Sequence, residues 1–195
     1  MSKVVVTNLL TLDGVMQSPG HPDEDRRGGF ERGGWAPPYA DAVMGEFMAG
    51  RMTQGGAMLF GRRTYEKMEA AWANGPEDSP FTAVLNERQK YVASRTLKAP
   101  LSWKNSTLLE GDVPEAVAKL KQHPGRNLAI LGSGELVQSL MRHHLIDEFV
   151  LSIHPLVLGS GRRLFTDGGV PATLELVDAK PTTTGVVIAT YKPAT

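Results

Sequence analysis

Ala129-Ile130-Leu131-Gly132-Ser133-Gly134-Glu135-Leu136 reads as a buried strand that runs into a glycine turn and then a helix. Ala129 to Leu131 form a short apolar run, as expected of a parallel strand covered on both faces. The glycines permit a tight turn and a close approach of a ligand to the backbone. From Glu135 to His144 the apolar residues fall at Leu136, Val137, Leu140 and Met141, which is helical spacing. Bare amides at such a helix start suit phosphate. A turn that only joins a strand to a helix has the same local pattern, so the choice rests on what the other turns carry.

The same order recurs upstream. Ala57-Met58-Leu59-Phe60 is a second buried strand, followed by Gly61-Arg62-Arg63-Thr64 and a helix with Tyr65, Met68 and Trp72. The arginines offer forked donors for phosphate oxygens and Thr64 adds a hydroxyl; the plainer alternative is a capped, solvated helix start. Lys90-Tyr91-Val92-Ala93 predicts a third strand, ended by Ser94-Arg95-Thr96, and Thr107-Leu108-Leu109 a fourth. A helix beginning at Asp112 or Val113 runs through Leu120, and Asn127 to Leu131 is the fifth strand. Ligands of an open α/β sheet sit beyond the carboxyl ends of its strands. The turns Gly61–Thr64, Ser94-Arg95 and Gly132–Gly134 are therefore expected on one edge, where cationic forks, hydroxyls and amides suit an elongated phosphorylated ligand. Arginine near the Ser94 turn favours an adenosine with a 2′-phosphate, and so NADPH over NADH. The Gly-x-Gly-x-x-Gly of the usual first strand is absent.

The flanks complete the pattern. Lys3 to Leu12 is β-rich and reads as a central strand that ends at the turn pair Asp13-Gly14. Residues 17–38 hold much irregular sequence, and a loop this long is usually functional or mobile. Phe30 and Trp35 within it either cover a ligand or pin the loop to the core. Pro38 opens a helix through about Met52, with Val43, Met44, Phe47, Met48 and Met52 on its apolar face. At 100° per residue Asp41 shares the phase of Met48 and Met52, while Glu46 lies outside that stripe. An inward Asp41 could manage a proton; alternatively it complements the helix dipole. Gly75–Pro80 reads as a turn and Phe81–Arg88 as a short helix. Ile146 to His154 is a long strand. The basic glycine loop Gly159–Phe165 could touch an anionic group or be a surface turn. Residues 173–178 and 185–191 predict two closing strands. The expectation is a single three-layer α/β/α domain over 1–195, its central sheet mostly parallel with antiparallel C-terminal edge strands.

Composition narrows the function. The 21 basic and 21 acidic residues cancel, which gives no electrostatic case for nucleic acid or an anionic membrane. The chain has no cysteine, so disulfides, thiolate nucleophiles and cysteine zinc sites are excluded. None of the five histidines has metal-ligand company. There is no basic-then-apolar leader, and Lys3 to Leu12 is too short to span a bilayer, so a soluble cytoplasmic protein is expected.

These landmarks together resemble the dihydrofolate reductase-like superfamily. They are Leu12-Asp13-Gly14-Val15, Gly61-Arg62-Arg63-Thr64-Tyr65-Glu66, Ser94-Arg95-Thr96-Leu97, Leu131-Gly132-Ser133-Gly134, Leu145-Ile146-Asp147-Glu148, and Pro155-Leu156-Val157-Leu158-Gly159-Ser160-Gly161 running to Leu164-Phe165. Their order is most similar to the reductase domain of riboflavin biosynthesis, the C-terminal half of bifunctional deaminase–reductases, and to its stand-alone relatives. The resemblance implies NADPH. Arg62, Arg63 and Thr64 would hold phosphates, Ser94 and Arg95 would face the 2′-phosphate, and Gly132, Ser133 and Gly134 would pack against the pyrophosphate and nicotinamide ribose. It also implies a small heterocyclic substrate, pyrimidine or pterin, and a homodimer. Asp13 and Asp41 are the substrate-side, catalytic candidates, with Glu46 the alternative to Asp41. Two features depart from the riboflavin reductases: no deaminase motif is present, and the first strand has no inward lysine. The expected activity is NADPH-dependent reduction like that of the (phosphoribosylamino)uracil reductase. The alternatives are dihydrofolate reduction or a non-catalytic NADP(H)-binding protein.

Overall fold

The computed structural model describes residues 1–54, 56–76, 79–125 and 127–194. The expected turn at Gly75–Pro80 lies partly at 77 and 78, outside the described residues. In chain order the strands are β1 (Val4–Thr11), β2 (Ala57–Gly61), β3 (Lys90–Ala93), β4 (Ser106–Leu108), β5 (Leu128–Leu131), β6 (Glu148–His154), β7 (Leu174–Pro181) and β8 (Val187–Pro193). The helices are α1 (Ala42–Thr53), α2 (Arg62–Trp72), α3 (Pro80–Glu87), α4 (Val113–Gln122) and α5 (Gly134–Arg142). All eight strands form one sheet in the order β4-β3-β2-β5-β1-β6-β8-β7. The pairs from β4 to β6 are parallel, and β8 and β7 close one edge antiparallel. This is the mostly parallel α/β sheet with antiparallel C-terminal strands that the sequence pattern predicts.

Side chains alternate between the two faces of each strand. One face carries Val6, Leu59, Ile130 and Leu151 against Val117 of α4 and Val137 and Leu140 of α5. On the other, Met58, Phe60 and Val92 pack with Tyr65 of α2 and Trp103, while Val5, Val150 and Ile188 meet Met44 and Phe47 of α1. β1 is buried on both faces, which explains its nearly unbroken apolar sequence.

α1 begins later than Pro38. Pro37–Tyr39 make a separate 3-10 turn, Ala40 is extended, and Asp41 (φ −145°, ψ 177°) precedes the first helical residue. A wheel that counts Asp41 as helical therefore assigns it a direction it does not have.

Lys90 is fully buried in β3. Its Nζ donates to the Leu85 and Arg88 carbonyls, both at 2.7 Å, and lies 4.5 Å from the centre of the Trp103 ring. These acceptors belong to the end of α3, whose last carbonyls have no partner within the helix. Burial pushes the ammonium down to about 8.

Candidate active site

The three turns reach one edge of the sheet. Gly61 is paired with Ala93, and Met58 with Ala129, so continuing the register brings Gly61 level with Gly132. Ser133 ties two of the turns together. Its hydroxyl accepts from the Gly61 amide at 3.0 Å and donates to Thr64 Oγ1 at 2.8 Å. Ser133 is left-handed (φ 56°, ψ 49°), as is Gly132 (φ 63°). Such a pair turns the chain sharply, and only the glycine accepts that backbone without strain. A Cβ on Gly132 would meet Thr64 Oγ1 at 3.7 Å, so the two turns pack closely here.

The third turn is built differently. Ser94 Oγ accepts from the amides of Thr96 at 3.1 Å and Leu97 at 2.9 Å, which fixes the turn after β3. Arg95 is exposed, and its side chain has no hydrogen-bond or ion-pair partner among the described residues.

Asp13 sits just beyond β1. Its carboxylate accepts from Thr11 Oγ1 at 2.5 Å, from the Gly159 amide at 2.8 Å and from the Leu158 amide at 3.2 Å. The Thr11 bond, with the two amides, holds its pKa below the usual carboxylate range. Arg163 Nε donates to its carbonyl at 2.8 Å. Asp13 thus fastens the 156–163 segment to the end of β1.

Loop 17–38 is tied down at several points. Gln17 Nε2 donates to the carbonyls of Asp25 at 3.0 Å and Arg27 at 2.9 Å, and its Oε1 accepts from the Arg162 amide at 2.9 Å. Trp35 Nε1 donates to the Gln17 carbonyl at 2.9 Å. Lys67 of α2 donates to the Glu24 carbonyl, so the loop tip reaches the second turn of that helix. Arg27 forks onto Asp25 and holds the acid down at about 2. Phe30 and Trp35 are buried and pin the loop rather than standing free. Trp35 and Tyr39 meet the His154 ring edge-on at 5.1 and 5.6 Å. Burial lowers the pKa of His154 and favours neutral imidazole, whose Nδ1 faces the Ser152 carbonyl at 3.0 Å.

Asp41 caps α1. One carboxylate oxygen accepts from the Met44 amide at 2.8 Å, and the other accepts from the Thr183 amide and hydroxyl, both at 2.6 Å. The Thr183 hydroxyl bond, then the Met44 amide, lowers its pKa. The inward orientation expected of Asp41 is not found. It lies outside the helix, at the turn between β7 and β8. Glu46 is exposed. Tyr39 meets His154 and Arg51 pairs with Glu148, so α1 starts at the carboxyl end of β6, but neither the Asp41 nor the Glu46 carboxylate hydrogen-bonds to the three turns among the described residues. Gln17, His154 and Lys90 went unread in the sequence as structural anchors, because each acts through partners far away in the chain or on backbone carbonyls. Among the described residues no group of acids and histidines could hold a metal ion.

Two glycine turns, the exposed Arg95 and a tethered loop thus sit at the carboxyl edge of this sheet. The family model of the RibD C-terminal domain matches residues 2–188. The chain belongs to the RibD C-terminal domain family. It is 27% identical over 196 residues to the uncharacterized protein YyaP of Bacillus subtilis (strain 168), covering 97% of this chain and 94% of that one. The fold is shared with a solved structure from Shewanella sp. PV-4, at TM-score 0.70 and 20% identity over 100% of both chains. It is shared also with a pyrimidine reductase-like protein from Corynebacterium diphtheriae, at TM-score 0.68 and 12% identity over 100% of this chain and 92% of that one. RibD of Acinetobacter baumannii matches at TM-score 0.63 and 14% identity, with 100% of this chain covering 59% of that longer one. Membership of the RibD C-terminal domain family makes this a reductase-like domain.

Proposed function

We propose that this RibD C-terminal domain protein is an NADPH-dependent reductase of a small pyrimidine- or pterin-type heterocycle. The observation that carries the reading is the Ser133 hydroxyl, which joins the Gly61 and Thr64 turn to the Gly132–Gly134 turn, while Arg95, without a partner among the described residues, follows the neighbouring strand β3. The residues fit the cofactor. The Gly132–Gly134 turn offers its backbone, with Met16 Sδ packed where a Cβ on Gly134 would lie; Arg62, Arg63 and Thr64 supply cations and a hydroxyl, and Ser94 shapes the turn that presents Arg95 to a 2′-phosphate. Bound there, NADPH would supply the hydride, and the protein's part is to position it and keep out water.

The substrate would lie between loop 17–38 and α1. Asp13 and Asp41 serve this reaction by positioning: Asp13 holds the 156–163 segment, and Asp41 holds α1 and the Thr183 turn. One eight-stranded sheet through the described residues supports a single reductase unit. The homodimer implied by the family would use the outer sheet strands, where Leu176, Val177 and Val187 are exposed.

The test is a fluorescence titration with NADPH and NADH. Arg95→Ala should weaken NADPH about tenfold and leave NADH nearly unchanged. Equal losses would remove Arg95 from the 2′-phosphate. Turnover is then followed on panels of pyrimidines and pterins. Tight NADPH binding without turnover on either panel would favour a binding protein over an enzyme.

A further inference from the structure

The basic glycine loop Gly159–Phe165, fastened by Asp13, also delivers a cation to the same edge. Arg162 Nη2 pairs with Glu135 Oε1 at 2.9 Å. Arg63 Nη1 approaches the same oxygen at 3.6 Å from the start of α2. Two arginines from segments about a hundred positions apart thus converge on one carboxylate, which follows Gly132-Ser133-Gly134 directly. The Arg162 backbone is itself held in place, because its amide donates to Gln17 Oε1.

Glu135 is an odd partner for such a pair. Its side chain is 73% exposed, and those of Arg63 and Arg162 are 47% and 48% exposed. Ion pairs this open to water contribute little to folding. A group with more charge and more acceptor oxygens would outcompete a single carboxylate for two guanidinium forks.

Resting on the cofactor reading above, we propose that Arg162 and Arg63 form a diphosphate clamp and that Glu135 is its internal stand-in anion, displaced when the dinucleotide binds. Arg162 is then a binding residue contributed by the loop after β6. Glu135 sets the affinity by competing for the two arginines. It also keeps the cations paired while the site waits. Because the diphosphate is common to NADPH and NADH, this clamp acts equally on both, unlike Arg95.

The experiment is a calorimetric titration of NADPH, NADH and inorganic pyrophosphate against wild type, Glu135→Gln, Arg162→Ala and the double variant, with Tm as the control for folding. Glu135→Gln should tighten both nucleotides about threefold, since it removes a competitor without changing shape. Arg162→Ala should weaken both by about tenfold, and should do so also in the Glu135→Gln background. Weaker or unchanged binding in Glu135→Gln would overturn the stand-in role. No loss on removing Arg162 in that background would reduce Arg162 to a holder of Glu135. If neither nucleotide binds but pyrophosphate binds with the same ranking, the clamp stands and the cofactor reading fails. If pyrophosphate and nucleotides all fail to bind wild type, both fall.

Discussion

Lys90 shows how much a single residue can contribute without touching the reaction. It lies in a strand, yet what it holds is the end of a helix. Lys90→Met keeps the bulk and removes the donor that the buried Leu85 carbonyl and the half-buried Arg88 carbonyl accept from. The expected cost is about 2–4 kcal/mol, read from denaturant unfolding. An unchanged midpoint would mean that water replaces the ammonium. Little of this is legible in the sequence. A lysine at the start of Lys90-Tyr91-Val92-Ala93 reads as a solvated strand end, and only the packing of Trp103 against it makes the site dry. Ser133 is the opposite case. The Gly-Ser-Gly spacing announces a sharp turn, although not that its hydroxyl reaches Thr64.

Among the elements, α1 and loop 17–38 depended most on information the sequence lacks. The Met44, Phe47 and Met52 pattern located α1 correctly, but the helix boundary decided what Asp41 does. Asp41→Asn keeps a capping side chain and removes the charge that accepts both Thr183 donors. Its Tm should fall, with NADPH binding unchanged. A wild-type Tm would show that the turn after β7 does not lean on this carboxylate. The loop carries its own acid-labile tie. The folded-state pKa of Asp25 is depressed from 3.8 to about 2, mainly by Arg27. The stabilisation is therefore fully present above the unfolded pKa, and it is lost as pH falls from 3.8 through about 2. The Tm gap between wild type and Asp25→Asn should accordingly be constant near neutrality and close across that acid window. A gap that persists at the acid end would assign the effect to something other than ionisation. Composition marked the loop as irregular and long, but its tethers to Arg162 and Lys67 are long-range, those of Gln17 to Asp25 and Arg27 go to backbone carbonyls, and none left a periodic trace.

For the molecule as a whole, the order of strands and helices was readable because buried parallel strands carry continuous apolar runs and each is followed by a glycine or hydroxyl turn. The closing strands were found with shifted ends, since β7 is exposed along most of its length and shows little burial pattern. That exposure motivates the homodimer proposed above. Leu176→Lys with Val177→Lys should convert a dimer into a monomer by light scattering, with the fold retained by circular dichroism. A dimer that survives both changes would place the interface elsewhere.

β1 is the earliest strand to be made, and both of its neighbours come late: Val4 pairs with Leu128 on one side, and Val5 with Glu148 on the other. During synthesis this buried strand therefore waits for more than half of the chain before it has either neighbour to pair with. Residues emerge at about 5–20 per second, so the wait is on the order of ten seconds. In that interval Val4-Val5-Val6-Thr7 has neither of its two neighbours to pair with, and an apolar segment stays open to other chains.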